Sequence, residues 1–110
     1  MLVNCLEFKI NDFCVLELKG KLDALSSPPL REKIMATIDR GEHKIILDCS
    51  GLDYVSSAGL RVLFEAAFKL QEFSESLVCC SVTSNVKKIF DLVDLPSEIT
   101  VLASREEALR

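Results

Sequence analysis

Two adjacent hydroxyl groups, those of Ser56 and Ser57, are the side chains of this sequence that are best placed for chemistry. An amphipathic run begins at about Ser57, so both serines lie at the predicted start of a helix. A serine in this position commonly caps the helix, because its oxygen accepts a hydrogen bond from an otherwise unpaired backbone amide. The functional alternative is a phosphate acceptor, since the amides and the dipole of a helix start favour negative charge. From these residues alone the capping role is favoured.

Familiar enzymatic arrangements do not occur in the sequence. It contains neither of the glycine-rich motifs that cradle nucleotide phosphates, nor the Gly-x-Ser-x-Gly turn of serine hydrolases. Its one histidine, His43, is distant in sequence from Ser56 and Ser57 and is expected to face solvent in a loop. We therefore predict that the protein is not an enzyme, has no catalytic residues and needs no cofactor.

The cysteines are predicted to be small apolar side chains of a reduced core. Their number is odd, all of them lie in or beside apolar runs, and the histidine stands away from any cysteine pair. These features argue against a disulfide framework and against a metal site. The cysteines are Cys5, Cys14, Cys49, Cys79 and Cys80.

Charge and hydropathy restrict the class of partner. The chain has 13 basic and 17 acidic residues, a net charge of −4 and a pI near 5.0. Because there is no block of basic residues, direct binding to nucleic acid is disfavoured, and an effect on genes would require another protein. Charged residues interrupt every apolar run before about 18 residues and break the N-terminal segment, so neither a membrane span nor a secretory signal is predicted. We expect a cytoplasmic protein without membrane contact.

Apolar periodicity predicts a single α/β domain over residues 1–110, in which strands alternate with helices. The order β-β-α-β-α-β-α-β-α favours a mixed, mostly parallel sheet of four to five strands with about four helices. Strands are predicted at 2–9, 13–19, 44–48, 77–82 and 99–102, with a tight turn at 11–12 and a loop at 49–53. Helices are predicted from Ser26 or Ser27 to Gly41, at 57–73, from Ser84 or Asn85 onward, and from Ser104, where Glu107 completes a capping box.

The helix at 57–73 is predicted to bury one face and expose the other. Its exposed face should carry an ion pair between Glu65 and Lys69, which lie four residues apart in the favoured order. The residues that recur at the spacing of a core face are Leu60, Leu63, Phe64, Ala67 and Leu70.

Three stretches of the sequence are similar to a known family. They are GKLDA at 20–24, IILDCSGLDYVSSAGLRVL at 45–63 and SNVKKIFDL at 84–92. Together they resemble the STAS domain of bacterial anti-anti-sigma factors, which are also called anti-sigma factor antagonists. The second stretch, built around the family signature Asp-Ser-Ser/Ala-Gly-Leu, is the specific one, and the resemblance extends over essentially the whole chain.

The resemblance implies a phosphorylation site and a partner surface. The phosphorylated serine of the family lies two residues before the signature glycine, which corresponds to Ser57 here, with Ser56 in the usual aspartate position and as the fallback site. Asp23 matches a family aspartate near the acceptor, although a turn or capping role would also explain it. The outer side of the helix at 57–73, which includes Ala66, is expected to form the rest of the interface. The implied partner-binding residues are Asp23, Ser56, Ser57, Ala58, Gly59, Arg61, Val62 and Glu65.

The resemblance also implies a partner-switching function. The unmodified chain, monomeric on its own, would bind an anti-sigma factor that is also a serine/threonine kinase, and would thereby free a sigma factor. That kinase would bind the ATP and phosphorylate Ser57, which would block binding, and a phosphatase would reverse the modification. Two alternatives remain open: an unphosphorylated STAS scaffold or accessory subunit of a larger assembly, and a small-ligand or nucleotide sensor that uses the helix start as an anion site.

Overall fold

One five-stranded sheet organises the computed structural model, which describes residues 4–110. Its strands lie side by side in chain order, the first pair antiparallel and the other three pairs parallel. This mixed sheet and its helices confirm the predicted fold class and element order. The elements are β1 (Asn4–Ile10), β2 (Phe13–Leu22), α1 (Ser27–Asp39), β3 (Ile45–Val55), α2 (Ser57–Gln71), β4 (Leu77–Cys80), α3 (Ser84–Asp91), β5 (Ile99–Leu102) and α4 (Arg105–Ala108).

The hairpin of β1 and β2 forms where the turn was predicted. Asn11 adopts a positive φ of 54°, which asparagine tolerates better than most residues, and Ile10 pairs with Phe13 across the two-residue turn. Positions 2 and 3 of the first predicted strand lie outside the described residues. β2 continues to Leu22, beyond its predicted end, because two register irregularities against β3 absorb Gly20 at φ 109° without ending the strand.

The predicted loop at 49–53 is wrong, because β3 continues through it to Val55. The extension stays paired with β2, and its Leu52 and Val55 are buried. Gly51 looks like a turn residue in the sequence, but in the structure its backbone lies close against β2. A Cβ at Gly51 would stand 2.9 Å from the carbonyl oxygen of Leu18. The strand therefore leads directly into α2, with Ser56 alone between them.

The predicted exposed face of α2 is wrong at Val62 and Ala66, because α1 packs against that side, whereas Arg61 is exposed as predicted. Val62 is 4% exposed and Ala66 0%, whereas Leu60 and Phe64 of the predicted core face are half-buried. The expected pair of Glu65 with Lys69 does not form. Glu65 bonds instead to Arg31 of α1 at 2.6 Å, and Lys69 lies 3.5 Å from Glu72.

Several predicted element ends shift by one or two residues. α2 ends at Gln71 and β4 at Cys80, where Ser81 adopts a positive φ of 57°. Thr83, not Ser84 or Asn85, caps α3, because its hydroxyl both accepts from the amide of Val86 and donates to Leu52. Ser104 caps α4 as predicted by accepting from the amide of Glu107.

The prediction that His43 faces solvent is wrong. Its ring is half-buried and stacks on Phe73, with ring centroids 3.7 Å apart, because the loop before β3 folds against the segment that follows α2. Its Nε2 also lies 3.2 Å from the carbonyl oxygen of Ile38. No group of three or more potential ligands in residues 4–110 is placed to hold a metal ion.

The two faces of the sheet are covered differently. Alternate strand residues such as Leu16 and Leu47 are buried with side chains of α1, α2 and α3. The other face buries Val15, Ile46 and Cys80 against Ala108 of α4. All five cysteines are unpaired, four are buried and Cys5 is half-buried, which confirms their predicted apolar role. No helix within residues 4–110 combines the length and apolarity needed to cross a bilayer.

An ion network attaches α4 to its face of the sheet. Arg105 donates to the buried Asp48 at 2.9 Å, pairs with Glu17, and lies 5.1 Å from the centre of the Phe8 ring. Burial alone would raise the pKa of Asp48. Hydrogen bonds from Ser50 and the positive charge of Arg105 outweigh that effect and lower it.

Candidate functional site

The structure gives the two serines before α2 different roles. Ser56, the N-cap, has an extended backbone and accepts a hydrogen bond from the amide of Gly59 at 3.2 Å. Its own amide donates to the carbonyl oxygen of Leu22 at 2.8 Å, so both backbone and side chain of this half-buried residue are engaged. Ser57 is the first residue of α2 and is exposed, and no hydrogen bond within residues 4–110 engages its side chain. The hydroxyl that a second protein can reach is therefore that of Ser57.

Asp23 organises the turn that connects β2 with α1. Its Oδ1 accepts hydrogen bonds from the amides of Leu25 and Ser26, at 3.0 and 3.1 Å. The bond from the Ser26 amide is the main cause of its lowered pKa. Ser26 is the N-cap residue of α1 but makes no side-chain capping bond, because its hydroxyl donates to the carbonyl oxygen of Lys21. In this position Asp23 is a turn residue, and the turn presents Leu25 to solvent.

A small cleft of about 210 Å³ lies between the first turns of α1 and α2. An ion pair spans it, because Arg31 Nε of α1 bonds to Glu65 Oε2 of α2. The exposed Ser57 immediately precedes Ala58, which lines the cleft. The lining residues are Ala24, Ser27, Pro28, Arg31, Ala58, Arg61, Val62 and Glu65.

Four of the predicted partner-binding residues meet at this cleft: Ala58, Arg61, Val62 and Glu65. Val62 contributes only to its floor, because α1 covers nearly all of its side chain. Gly59 is buried and does not offer its backbone to a partner. A Cβ at Gly59 would stand 2.8 Å from Leu22 Cγ, so this glycine allows α2 to approach β2 closely.

Four lining residues of the cleft were not predicted as partner-binding residues: Ala24, Ser27, Pro28 and Arg31. Leu25 does not line the cleft but follows Ala24 in the turn beside it. Leu25 is 76% exposed, so a large apolar side chain contacts water in a turn that is otherwise built by polar residues. The signal in the sequence was a leucine between Asp23 and two serines, where turn chemistry predicts polar residues. Pro28 and Arg31 belong to α1, and only the packing of α1 on α2 brings them to the cleft at the start of α2.

The charges around Ser57 are mixed. Asp53, near the end of β3, and Arg61, one turn into α2, are both exposed. No ion pair within residues 4–110 involves Arg61, whereas Arg31 is held by Glu65. The site thus consists of an exposed neutral hydroxyl, an exposed apolar residue and one basic side chain without a carboxylate partner in the described part of the chain. Such a surface can bind a protein and can be altered by one added charge.

Comparison with known proteins places these features in a family. A family model described as STAS domain matches residues 8–108. The chain is 34% identical over 100 residues to BtrV of Bordetella bronchiseptica, named as an anti-sigma factor antagonist, and the match covers 91% of this chain and 86% of that protein.

Two solved structures share the fold. An anti-sigma factor antagonist from Thermotoga maritima has a TM-score of 0.89 at 16% identity, with 96% of this chain and 91% of that chain covered. The Bacillus cell fate determinant SpoIIAA, solved in its phosphorylated form, has a TM-score of 0.73 at 22% identity, with 97% and 96% covered.

Proposed function

This chain belongs to the STAS domain family, among the anti-sigma factor antagonists, and we propose that phosphorylation of Ser57 controls its binding to an anti-sigma factor. The observation that carries the proposal is the separation of roles at the start of α2. Ser56 is engaged in the cap, and Ser57 offers an exposed hydroxyl beside the cleft. A phosphate can therefore be added to Ser57 without breaking the cap that starts the helix.

In its unmodified state the chain binds an anti-sigma factor that is also a serine/threonine kinase, and the sigma factor held by that kinase is released. The contact surface consists of Leu25, Ser57, Ala58 and Arg61, with Glu65 at the cleft. Leu25 is the apolar anchor of this surface, because its exposed side chain gains most from being covered by a partner. Asp23 contributes by holding the turn in shape through its amide bonds.

The modification is a phosphoryl transfer in which this chain is the substrate and not the enzyme. The bond between Ser57 Oγ and the γ-phosphorus of ATP forms as the bond from that phosphorus to the β,γ-bridging oxygen breaks. The hydroxyl proton passes to a base of the kinase, and ADP leaves. This chain supplies only the hydroxyl, and the kinase holds the nucleotide. A serine/threonine phosphatase later hydrolyses the phosphate ester and restores the binding form.

Charge explains why the phosphorylated form is released. A phosphoserine carries about −1.5 to −2 charge near neutral pH. It is added beside Asp53 on a chain whose net charge is already −4, where the partner had covered a neutral hydroxyl. Burying that dianion in the interface without matching cations from the partner costs several kcal/mol, and each 1.4 kcal/mol is about tenfold in affinity.

Two further features agree with this role. We expect the exchange to occur in the cytoplasm, because a kinase partner requires ATP, and the five unpaired cysteines suit that reducing compartment. Residues 1–110 act as one STAS domain, and the family match at 8–108 spans nearly all of them.

The direct test is to map the phosphate. The purified chain is incubated with ATP and an anti-sigma factor serine kinase from the same organism, and the modified residue is located by mass spectrometry. We expect one phosphate on Ser57, none on a Ser57→Ala variant, and normal labelling of Ser57 in a Ser56→Ala control. Phosphate on Ser56 in the Ser57→Ala variant would move the site, and an unlabelled chain in stable complex with a non-kinase assembly would favour a scaffold role.

A further inference from the structure

Arg61 lies one helical turn after Ser57, on the same side of α2. Residues four apart on a helix are neighbours, with Cβ atoms about 5–6 Å apart. An acidic group that precedes a basic group at this spacing is the favoured order, because each then also lies at the better end of the helix dipole. A phosphate on Ser57 would complete such a pair with Arg61, since both side chains are exposed.

The carboxylate of Glu65, which could otherwise pair with Arg61, is bonded to another residue. Glu65 lies four residues after Arg61, but its Oε2 accepts from Arg31 Nε of α1 at 2.6 Å. No salt bridge within residues 4–110 involves Arg61. The cleft thus contains two arginines and one carboxylate, and the contact between α1 and α2 assigns that carboxylate to Arg31.

The backbone at this helix start offers less to a phosphate than an uncapped helix would. The amide of Gly59 already donates to Ser56 Oγ, and that of Leu60 donates to the Ser56 carbonyl oxygen at 2.9 Å. Nearby Asp53 on β3, and Asp23 in the turn before α1, add negative charge. Positive charge for a phosphate on Ser57 must therefore come from a side chain, and Arg61 is the basic residue one turn away.

We propose that Arg61 pairs with the phosphate on Ser57, and that Arg31 is a positioning residue that keeps Glu65 away from Arg61. This inference rests on the proposed phosphorylation of Ser57. It adds a second change to the partner surface. Phosphorylation introduces a dianion and, at the same time, withdraws the guanidinium of Arg61 from any acidic group that the anti-sigma factor presents.

The experiment measures the second pKa of the phosphate. Phosphoserine is incorporated at position 57 during translation, so that no kinase is needed, and the phosphorus resonance is followed by NMR from pH 4 to 8 at about 0.15 M salt. A neighbouring cation stabilises the dianion and lowers this pKa. We expect Arg61→Gln to raise it by about 0.3 units, the size of a helical ion pair, and Arg61→Lys to raise it less.

Two further variants test the role of Arg31. Arg31→Gln should also raise the phosphate pKa, by a smaller amount, because Glu65 loses its partner and competes for Arg61. Arg31→Gln combined with Glu65→Gln should restore the original value. Lys69→Gln, the charge-matched control on the same helix, should leave it unchanged, because twelve residues of helix separate it by about 18 Å, beyond the screening length at physiological salt.

Equal phosphate pKa values for the parent chain and Arg61→Gln, or an equal rise for Lys69→Gln, would overturn the pairing. An unchanged value in Arg31→Gln would overturn the positioning role. Because the phosphoserine is incorporated without a kinase, these outcomes are independent of whether the kinase modifies Ser57. If the kinase modifies another residue, the proposed function is refuted, even if the phosphate pKa values show that Arg61 pairs with a phosphate on Ser57.

Discussion

Replacement of Ser56 by alanine should destabilise the fold, whereas the same replacement at Ser57 should not. Ser56 Oγ accepts from the amide of Gly59 at 3.2 Å in a half-buried position, so alanine leaves that amide without its partner. Loss of an N-cap of this kind costs about 1 kcal/mol. Ser57 is exposed and makes no side-chain hydrogen bond in residues 4–110. Alanine also has the higher helix propensity, so Ser57→Ala should stay within about 0.5 kcal/mol of the parent.

Urea unfolding followed by circular dichroism measures both free energies of unfolding. With a slope of about 2 kcal/mol per molar urea, the midpoint of Ser56→Ala should fall by about 0.5 M and that of Ser57→Ala should change little. Equal slopes for the three proteins are needed for the comparison. The division of roles is refuted if Ser57→Ala costs as much as Ser56→Ala, because Ser57 would then be structural and not available to a partner.

Three other substitutions test the surrounding structure. Gly59→Ala should lower the free energy of unfolding measured in urea. A Cβ 2.8 Å from Leu22 Cγ costs about 1–3 kcal/mol through overpacking, whereas alanine gains about 1 kcal/mol in helix propensity. A stabilised variant would contradict the close approach of α2 to β2. Arg105→Gln should destabilise the protein by about 2 kcal/mol at pH 7, since it leaves the carboxylate of Asp48 buried without its cation. The pKa of Asp48 is lower in the folded than in the unfolded chain, where it is about 3.9, so its ionised form stabilises the fold above that pH. This stabilisation is lost as the pH falls through the folded pKa. The difference in free energy of unfolding between Arg105→Gln and the parent should therefore become smaller in acid, and a difference that does not change with pH would contradict this. Leu25→Ala should weaken partner binding about tenfold in calorimetry without changing stability, and unchanged affinity would remove Leu25 from the surface.

Local patterns were sufficient to predict most of the fold. The hairpin at Asn11, the strand at 99–102 and the cap at Ser104 each depend on a few neighbouring residues, and each forms as predicted. The segment 49–53 is a strand and not the predicted loop. The prediction was wrong because Gly51 and its polar neighbours are residues typical of turns. What makes them a strand is their pairing with the irregular end of β2, which lies some thirty residues earlier in the chain.

The candidate site was only partly predictable for the same reason. The start of α2 could be located from its periodicity, which made Ser56 and Ser57 candidates, and the family resemblance assigned them a role and added Arg61. Which face of α2 is exposed depends on α1, and that packing buries Val62 and brings Arg31 to the cleft. A helical pattern indicates one buried face, but a helix that is covered on two sides has a wider buried surface than the pattern reveals.

The affinity of this chain for its kinase anti-sigma factor, measured with and without a phosphate on Ser57, tests the central claim most directly. Phosphoserine at Ser84 is the matched control, because that exposed residue is likewise the first of a helix, after the cap of α3 at Thr83. We expect the phosphate on Ser57 to weaken binding by at least about 100-fold, or about 2.7 kcal/mol, and the one on Ser84 to weaken it far less. Equal affinity of the two states at Ser57, or an equal loss at both positions, would contradict a switch located at the start of α2.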